Sequence, residues 1–380
     1  MINRSIVFKY KKVSECMNNT YRSLFIALFV LGASTMSYSK HFIPANNPFI
    51  QYYGRWDMAD SLHPRHSWPG VYLFAEFSGT SIGIRMTDSI NYYNVYIDGK
   101  FAKVLHGTIT GEADYLLADS LANTHHTLLF SKRNIMFDAV FSVSGLLLDE
   151  GADLFPPPAK PTRKIEFIGD SFTAAESNEA TVQELPWEGR FPVTNIDKGF
   201  APIIARHFQA QYQTTCRSGA GLVCDWQGKM GATLPILFDR TLMEAPEPKW
   251  NFKQWIPDLA VICLGLNDYS GLKDKDGTVS EEKSAIFRKG YHSFLTTLRT
   301  VYPKITILAV AAYPEWIQKN VKQIVDEEQQ KGNKDIYYTH FDDFPDGKVA
   351  YGHPTVQSHQ KIADQIIDAI GKNKIFTVTK

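Results

Sequence analysis

The stretch Lys164-Ile165-Glu166-Phe167-Ile168-Gly169-Asp170-Ser171-Phe172-Thr173 carries the strongest structural signal in this chain. Its first half is a mostly apolar run of strand length, and Gly169 permits a tight turn directly after it. A serine delivered at the C-terminal end of a buried strand is well placed to act as a nucleophile. The stretch therefore predicts a strand that leads straight to a reactive residue, Ser171.

Strands and helices alternate after this stretch. Apolar runs at 259–264 and 305–310 predict further strands, and helical patterns cover 201–209, 281–301, 315–330 and 355–370. This alternation predicts a three-layer α/β domain whose parallel sheet is covered by helices on both faces. Ligand sites in such sheets lie beyond the carboxyl ends of the strands, which is where Ser171 and Asn267 fall.

The region before it, from about Pro48 to Leu148, follows a different period. Short apolar segments are separated by turn residues, at 71–77, 81–86, 91–97, 126–130 and 139–143. Asp98-Gly99 is a strong hairpin signal. Regular short strands of this kind predict a β-sandwich.

Proline-rich sequence separates the two regions, because proline cannot join a central strand and stiffens a connection. The predicted organisation is a signal peptide, an N-terminal β-sandwich (jelly-roll) domain, a linker and a C-terminal α/β domain, at 1–39, 40–154, 155–162 and 163–380.

The N-terminus has the pattern of an export signal. Basic residues up to Arg22 precede the apolar run 24–31, and small and polar residues follow it. The run is short for a bilayer span, so we expect a secreted or periplasmic protein with no membrane association after cleavage. The alternative is a buried N-terminal helix or an anchor.

Charge and composition narrow the class of partner. Lys plus Arg equals Asp plus Glu, at 40 each, and no basic stripe is present. This balance argues against nucleic acid and favours a neutral substrate. No Cys-x-x-Cys pair or His/Cys cluster indicates a metal site, and we expect no cofactor.

The cysteines leave one question open. Cys16 would be lost with the signal, so Cys216, Cys224 and Cys263 remain. An oxidising compartment would allow Cys216 and Cys224 to form a disulfide, whereas Cys263 lies in an apolar strand and is expected to be buried.

His353 is the predicted base for Ser171. It stands in Gly352-His353-Pro354 before the last helix, where proline restrains the turn. A capping or surface histidine is the alternative. His359, one turn into the helix, is expected to be structural.

When a serine attacks an ester, the carbonyl oxygen becomes negatively charged in the tetrahedral intermediate. Hydrogen-bond donors must stabilise this oxygen. The candidates are the Ser171 backbone amide, a glycine amide from Gly219 or Gly221, and the side-chain amide of Asn267. The neighbouring carboxylates Asp170 and Asp268 are expected to hold their loops rather than react.

Four blocks together resemble the SGNH (GDSL-type) hydrolases: Gly169-Asp170-Ser171, Ser218-Gly219, Gly265-Leu266-Asn267-Asp268 and His353-Pro354. With Pro69-Gly70-Val71-Tyr72 and the segment 91–99, the chain is similar to carbohydrate esterase family two, enzymes with an N-terminal jelly roll that deacetylate xylan and glucomannan. The resemblance implies that Ser171 is the nucleophile and His353 the base. It also implies that Ser171, Gly219 and Asn267 form the oxyanion hole.

One position departs from the pattern. Many SGNH enzymes carry an aspartate three residues before the histidine, and here that residue is Ala350. Some members of the resembled family orient the histidine through a backbone carbonyl instead. Asp343 or Asp346 are alternatives, and we predict a Ser–His dyad.

Aromatic side chains that follow catalytic blocks or strand ends are predicted to stack on sugar rings. They are Trp226, Tyr269, Trp316 and Tyr351. Packing in the core is the alternative for each of them. The N-terminal sandwich is expected either to contact glycan or to wall one side of the cleft.

These observations predict a secreted serine esterase that removes O-acetyl groups from a plant-type polysaccharide or its oligosaccharides. The alternatives are an SGNH lipase or thioesterase acting on other acyl esters, and a non-catalytic carbohydrate-binding protein. The polysaccharide, the acetylated position and the oligomeric state stay open.

Overall fold

A computed structural model describes residues 40–137, 140–231, 233–344 and 347–376. The predicted signal peptide lies outside the described residues. An antiparallel β-sandwich of two sheets is followed by an α/β region built on a five-stranded parallel sheet, which confirms the predicted fold class. In the described part of the chain, no helix combines the length and the apolar character needed to cross a membrane.

The sandwich consists of two sheets. The first contains β1 (Lys40–Pro44), β3 (Arg65–His66), β5 (Ile82–Thr87), β8 (Glu112–Ala118) and β10 (Phe141–Asp149). The second contains β2 (Gln51–Tyr53), β4 (Tyr72–Gly79), β6 (Tyr92–Ile97), β7 (Lys100–His106), β9 (Thr124–Lys132) and β11 (Leu154–Phe155). Burial alternates along β4, as expected for a strand with one face on the core.

Three local predictions for the sandwich and the linker have different outcomes in the structure. Asp98 and Gly99 both have positive φ, +51° and +71°, and connect β6 to β7 as the hairpin signal predicted. Phe155, predicted as the first linker residue, instead ends β11 and pairs with Glu76. Of the predicted strand 139–143, Ala139 lies outside the described residues and the strand begins at Phe141.

The α/β region has the strand order β13-β12-β14-β15-β16, all parallel. Its strands are β12 (Lys164–Gly169), β13 (Gln211–Cys216), β14 (Leu259–Cys263), β15 (Thr306–Ala311) and β16 (Ile336–His340), and a small hairpin is formed by β17 (Lys348–Val349) and β18 (His353–Pro354). Its helices are α1 (Phe200–His207), α2 (Leu234–Leu237), α3 (Leu266–Leu272), α4 (Glu281–Val301), α5 (Glu315–Gln330) and α6 (Val356–Lys372).

Helices cover both faces of this sheet. Along β14, Ala260 and Ile262 pack in the cluster that contains Phe287 of α4, whereas Val261 packs in the cluster that contains Ile362 of α6. A strand that is buried on both faces in this way accounts for its continuous apolar sequence.

The sandwich and the parallel sheet share a buried polar interface. Arg55 of the sandwich is fully buried and its Nη2 lies 2.9 Å from Oε1 of Glu166 on β12. Gln213 and Thr215 of β13 donate to the same carboxylate oxygen, at 3.1 and 2.6 Å. Strand β13 was not predicted, because Gln213 and Thr215 are polar residues buried against this ion pair.

All three described cysteines are free and buried. The disulfide between Cys216 and Cys224 that the sequence allowed is therefore absent from the structure. Burial raises the pKa of each thiol, with further increases from nearby carboxylates such as Asp170 and Asp268.

Candidate active site

Ser171 follows β12 in a turn that only glycine permits at its start. A β-carbon added to Gly169 would lie 1.9 Å from Oγ1 of Thr173 and 2.8 Å from the carbonyl oxygen of Cys263. Asp170 holds the turn by accepting the backbone N–H of Phe172 at 3.0 Å. Ser171 is thereby presented at the carboxyl edge of the sheet, with 9% of its surface exposed.

His353 lies at the start of β18, and a backbone carbonyl orients its ring. Nδ1 is 2.8 Å from the carbonyl oxygen of Ala350. A carbonyl can only accept, so the proton of the neutral ring resides on Nδ1 and the basic lone pair on Nε2. Asp343 is paired with Lys348 at 2.6 Å, and Asp346 lies outside the described residues.

Ser171 and His353 line the same cleft, whose volume is about 590 Å³. The ring of Phe172, next to Ser171, lies 5.9 Å from the His353 ring, centroid to centroid. The two predicted reactive residues, 182 positions apart in the chain, are therefore brought to one crevice at the carboxyl edge of the sheet.

Three N–H groups at this edge can serve a negatively charged oxygen. In the described part of the chain, neither the Ser171 amide nor the Gly219 amide donates to a protein acceptor. Gly219 has φ +80°, and both it and Asn267 line the cleft. The Asn267 amide nitrogen donates to Ala220 O at 3.0 Å and to Asp170 Oδ2 at 3.2 Å.

The two buried carboxylates behind the site hold its loops. Oδ1 of Asp268 accepts the N–H of Val223 at 2.7 Å, and its two oxygens share the N–H of Leu222. Burial raises the pKa of Asp268 to about 6 despite these bonds. Burial, with a smaller contribution from the charge of Asp268, raises the pKa of Asp170 to about 7.

His359 is a second buried histidine near the site. It stacks on Phe200 with ring centroids 6.0 Å apart, and it does not line the cleft. Burial, with a smaller effect from His353, lowers the pKa of His359 to about 3. The ring is therefore neutral at physiological pH, in agreement with the structural role expected for it.

Three of the four predicted stacking residues line the cleft: Trp226, Tyr269 and Tyr351. Trp226 is 57% exposed and Tyr351 is 51% exposed. Trp316 is not among the lining residues. Its ring packs on Phe287 at 4.9 Å and its Nε1 donates to Ser284, because helix α5 turns this side chain toward α4.

Sequence reasoning missed several lining residues. Phe137 comes from the sandwich, so this domain does wall one side of the cleft. Trp187 lies 5.2 Å from Phe137, centroid to centroid, in a loop after Pro186. Arg190 and Glu176 form an ion pair of 2.9 Å on the same wall. An aromatic residue in a polar loop, as at Trp187, was the one available signal.

No group of three or more His, Cys, Asp or Glu side chains within the described ranges is arranged to hold a metal ion.

Taken together, the α/β fold, a serine at a strand end, a carbonyl-oriented histidine and unoccupied amides define a serine hydrolase of the SGNH class. Residues 165–366 match the family described as GDSL-like Lipase/Acylhydrolase, and residues 52–158 match Carbohydrate esterase 2 N-terminal. The chain belongs to the GDSL-like lipase/acylhydrolase family and carries the N-terminal domain of carbohydrate esterase family 2.

Curated relatives agree with this assignment. A cellulase/esterase of Acetivibrio thermocellus is 28% identical over 343 residues, which cover 87% of this chain and 40% of that protein. An acetylxylan esterase/glucomannan deacetylase of Cellvibrio japonicus is 34% identical over 212 residues, or 54% of this chain and 56% of that protein. The chain thus spans less than two thirds of these two relatives. Another Cellvibrio japonicus protein of the same description is 26% identical over 86% of this chain and 90% of its own length.

Solved structures show the same architecture. A family two carbohydrate esterase from Cellvibrio japonicus has a TM-score of 0.78 and 25% identity, covering 88% of this chain and 98% of its own. A family two esterase from Clostridium thermocellum in complex with cellohexaose has a TM-score of 0.77 and 24% identity, covering 86% of this chain and 100% of its own. The chain is thus similar along most of its length to family two carbohydrate esterases, including proteins named acetylxylan esterase/glucomannan deacetylase.

Proposed function

We propose that this esterase removes O-acetyl groups from plant-type polysaccharides such as xylan or glucomannan, or from their oligosaccharides, through a Ser171–His353 dyad. One observation carries the proposal. Ser171 and His353 line one cleft, and the Ala350 carbonyl holds Nδ1 so that Nε2 is the free base.

The first half of the reaction forms an acetyl-enzyme. Nε2 of His353 accepts the proton of the Ser171 hydroxyl while Oγ attacks the acetyl carbonyl carbon. The carbonyl π electrons move to oxygen, and this oxyanion is received by the amides of Ser171 and Gly219 and by Asn267. The intermediate collapses, the C–O bond to the sugar breaks, and the sugar oxygen takes the proton from Nε2.

The second half releases acetate. Water gives its proton to Nε2 and attacks the acetyl carbon, and the resulting intermediate expels the Ser171 oxygen, which recovers the proton. No acidic side chain is needed in either half, because the Ala350 carbonyl keeps the imidazole in one tautomer.

Asn267 can serve as a donor without leaving its position. Its shorter bond, 3.0 Å to Ala220 O, fixes the amide, and its longer bond, 3.2 Å to Asp170 Oδ2, is the weaker of the two. We propose that the hydrogen directed at Asp170 is the one that an oxyanion attracts.

The lining of the cleft supports a sugar as the substrate. Trp226, Trp187 and Tyr351 present aromatic surface, and sugar C–H faces pack on such surfaces. The relatives named as acetylxylan esterases and glucomannan deacetylases, and the related esterase bound to cellohexaose, support a β-linked glycan.

The test is Ser171→Ala, assayed by acetate release from acetylated xylan and acetylated glucomannan. We expect a loss of about 10⁴-fold or more, since removing a serine nucleophile removes the covalent route. Ser293→Ala on the exposed face of α4 is the matched control and should retain full activity. Undiminished acetate release by Ser171→Ala would refute the assignment.

Two further readouts separate the alternatives. Nitrophenyl acetate should be cleaved far better than nitrophenyl octanoate, whereas the reverse preference would indicate a lipase-type enzyme. A solved carbohydrate esterase at 26% identity to this chain has an active site described as displaying divergent catalytic and non-catalytic binding functions. Glycan binding by the wild-type protein without any turnover would favour a purely binding role.

We also propose that the protein is exported and begins near residue 40 in its mature form. The basic residues and the apolar run 24–31 support this. N-terminal sequencing of the protein recovered outside the cytoplasm is the test, and an intact Met1 start there would contradict cleavage.

A further inference from the structure

The turn that carries the orienting carbonyl has an unusual backbone. Tyr351 has φ +60° and ψ 26°, and Gly352 follows with φ +77°. A tyrosine in the left-handed region is uncommon, and such a conformation persists only where the surroundings hold it. The residue that follows Ala350 therefore needs external support if the Ala350 carbonyl is to stay 2.8 Å from His353.

Tyr351 is held from three sides by the loop 183–190. Its backbone N–H donates to Gln183 O at 2.9 Å, and its hydroxyl donates to Leu185 O at 2.6 Å. The guanidinium carbon of Arg190 lies 4.1 Å from the centre of its ring. Cation–aromatic contact at this distance is favourable and fixes the plane of the ring.

Arg190 is in turn tied to the nucleophile loop. Its Nη1 donates to Oε1 of Glu176 at 2.9 Å, and the Glu176 side chain is only 3% exposed. The backbone N–H of Glu176 donates to the carbonyl oxygen of Ser171 at 3.0 Å. A continuous series of contacts therefore joins the Ser171 loop to the His353 turn.

We propose that Arg190 and Tyr351 form a positioning clamp that holds the Ala350 carbonyl, and with it His353, in register with Ser171. The clamp takes the place of an acidic residue three positions before the histidine, where this chain has alanine. This inference rests on the Ser–His esterase function proposed above. It makes Arg190 and Tyr351 positioning residues, which need not touch a reacting atom.

The competing explanation is that both side chains only form a wall for sugar. The two roles separate kinetically. A sugar-binding wall contributes to the KM for glycans and is irrelevant to a small ester, whereas a clamp on the histidine acts on kcat for every substrate.

The experiment compares two variants. Tyr351→Phe removes only the hydrogen bonds between the hydroxyl and the backbone of Leu185, and Arg190→Met keeps an apolar stem against the ring. Each variant is assayed on nitrophenyl acetate and on an acetylated xylo-oligosaccharide. Because small displacements of a reacting group are costly, we expect kcat to fall about tenfold to a hundredfold for Arg190→Met on both substrates, with little change in KM. The kcat of Tyr351→Phe should fall less, and Arg190→Lys should recover part of the kcat that Arg190→Met loses.

Lys160→Met is the matched control. Lys160 also places its cation over a tyrosine ring, at 4.5 Å from the centre of Tyr53, in the segment between the two domains. The kcat of Lys160→Met should equal that of the wild type, and thermal melting should show that all variants are folded. A higher KM for the glycan alone, or kcat unchanged in both Arg190→Met and Tyr351→Phe, would overturn the clamp while leaving the esterase function intact. A wild-type protein inactive on both substrates would overturn the esterase proposal on which the clamp depends.

Discussion

Glu166 on β12 and Ser171 in the turn after it lie five residues apart, and each is the centre of a polar assembly. The two assemblies differ in how their polar groups are used. Around Glu166 the network is closed to solvent, since Arg55 pairs with Oε1 of the carboxylate and both side chains are fully buried. Around Ser171 the network is open to the cleft: among the described residues the Ser171 and Gly219 amides donate to no acceptor, and His353 is held at Nδ1. The closed assembly joins two domains, and the open one keeps its donors for a substrate.

The comparison shows how one strand serves stability and chemistry. A buried charge without a partner is costly, and the interface gives Oε1 of Glu166 three donors, from Arg55, Gln213 and Thr215. In the cleft, the Ser171 and Gly219 amides donate to no acceptor among the described residues, so they stay available to a transition state. Mutations at the two assemblies should therefore affect different measurements.

Breaking the closed assembly should have the largest effect on stability. Arg55→Met leaves Glu166 buried and unpaired, and should lower the free energy of unfolding by about 3–5 kcal/mol. Denaturant titration measures this, and the activity of the folded fraction should be unchanged. The double variant Arg55→Met/Glu166→Leu should regain much of the loss.

The control for this prediction is an exposed ion pair. Lys322→Met breaks a surface pair with Asp326 and should cost less than about 1 kcal/mol. An Arg55→Met variant as stable as Lys322→Met would show that the buried network does not hold the domains.

Breaking the open assembly should affect the rate instead. Asn267→Ala removes one donor and should lower kcat about 10²–10³-fold with a small change in KM, because the donor is needed mainly in the transition state. Steady-state kinetics on an acetyl ester provides the measurement. Asn373→Ala, at the end of α6, should behave as the wild type, and a wild-type kcat for Asn267→Ala would exclude it from the oxyanion hole.

The effect of pH is the smallest per step, because it is spread over several pH units. Asp170 has an ordinary pKa of 3.8 when unfolded and about 7 when folded, so between these values only the folded chain holds the proton. Its contribution to stability is complete below about pH 4 and is lost as the pH rises through about 7, by at most about 1.4 kcal/mol per pH unit.

Asp170→Asn cannot titrate, so its free energy of unfolding should decline less steeply than that of the wild type over this window. Denaturant titrations at several pH values between 4 and 8 measure the slope. Asp276→Asn removes a surface carboxylate and should leave the slope as in the wild type. Equal slopes for Asp170→Asn and the wild type would contradict the raised pKa.

Much of the fold was predictable because it follows local rules. Helices α4 and α5 begin and end as their apolar period predicts, and the Asp98-Gly99 turn forms its hairpin. Strand β13 was missed because four of its six buried residues are polar, and they bond to groups such as Glu166 of β12 and Pro69 of the sandwich. A buried strand made of polar residues has the sequence pattern of a loop, and only the packing of the other domain shows that it is a strand.

The site was predictable only in part. The glycine-flanked Ser171 and the Gly-His-Pro turn stand out by residue type, and the structure brings both to the cleft. Trp316 was misplaced because its direction depends on how α5 packs against α4. Phe137 and Arg190 were missed because each reaches the cleft from a separate segment.

The sequence by itself determined the different apolar spacing of the two domains, the strand ends before Ser171 and Asn267, and the choice of Ser171 and His353 as candidates. These features depend on side-chain types at short range. Only the tertiary structure decided how His353 is oriented. Every residue has a backbone carbonyl, so no residue type reveals that Ala350 is the acceptor or that Arg190 supports its turn.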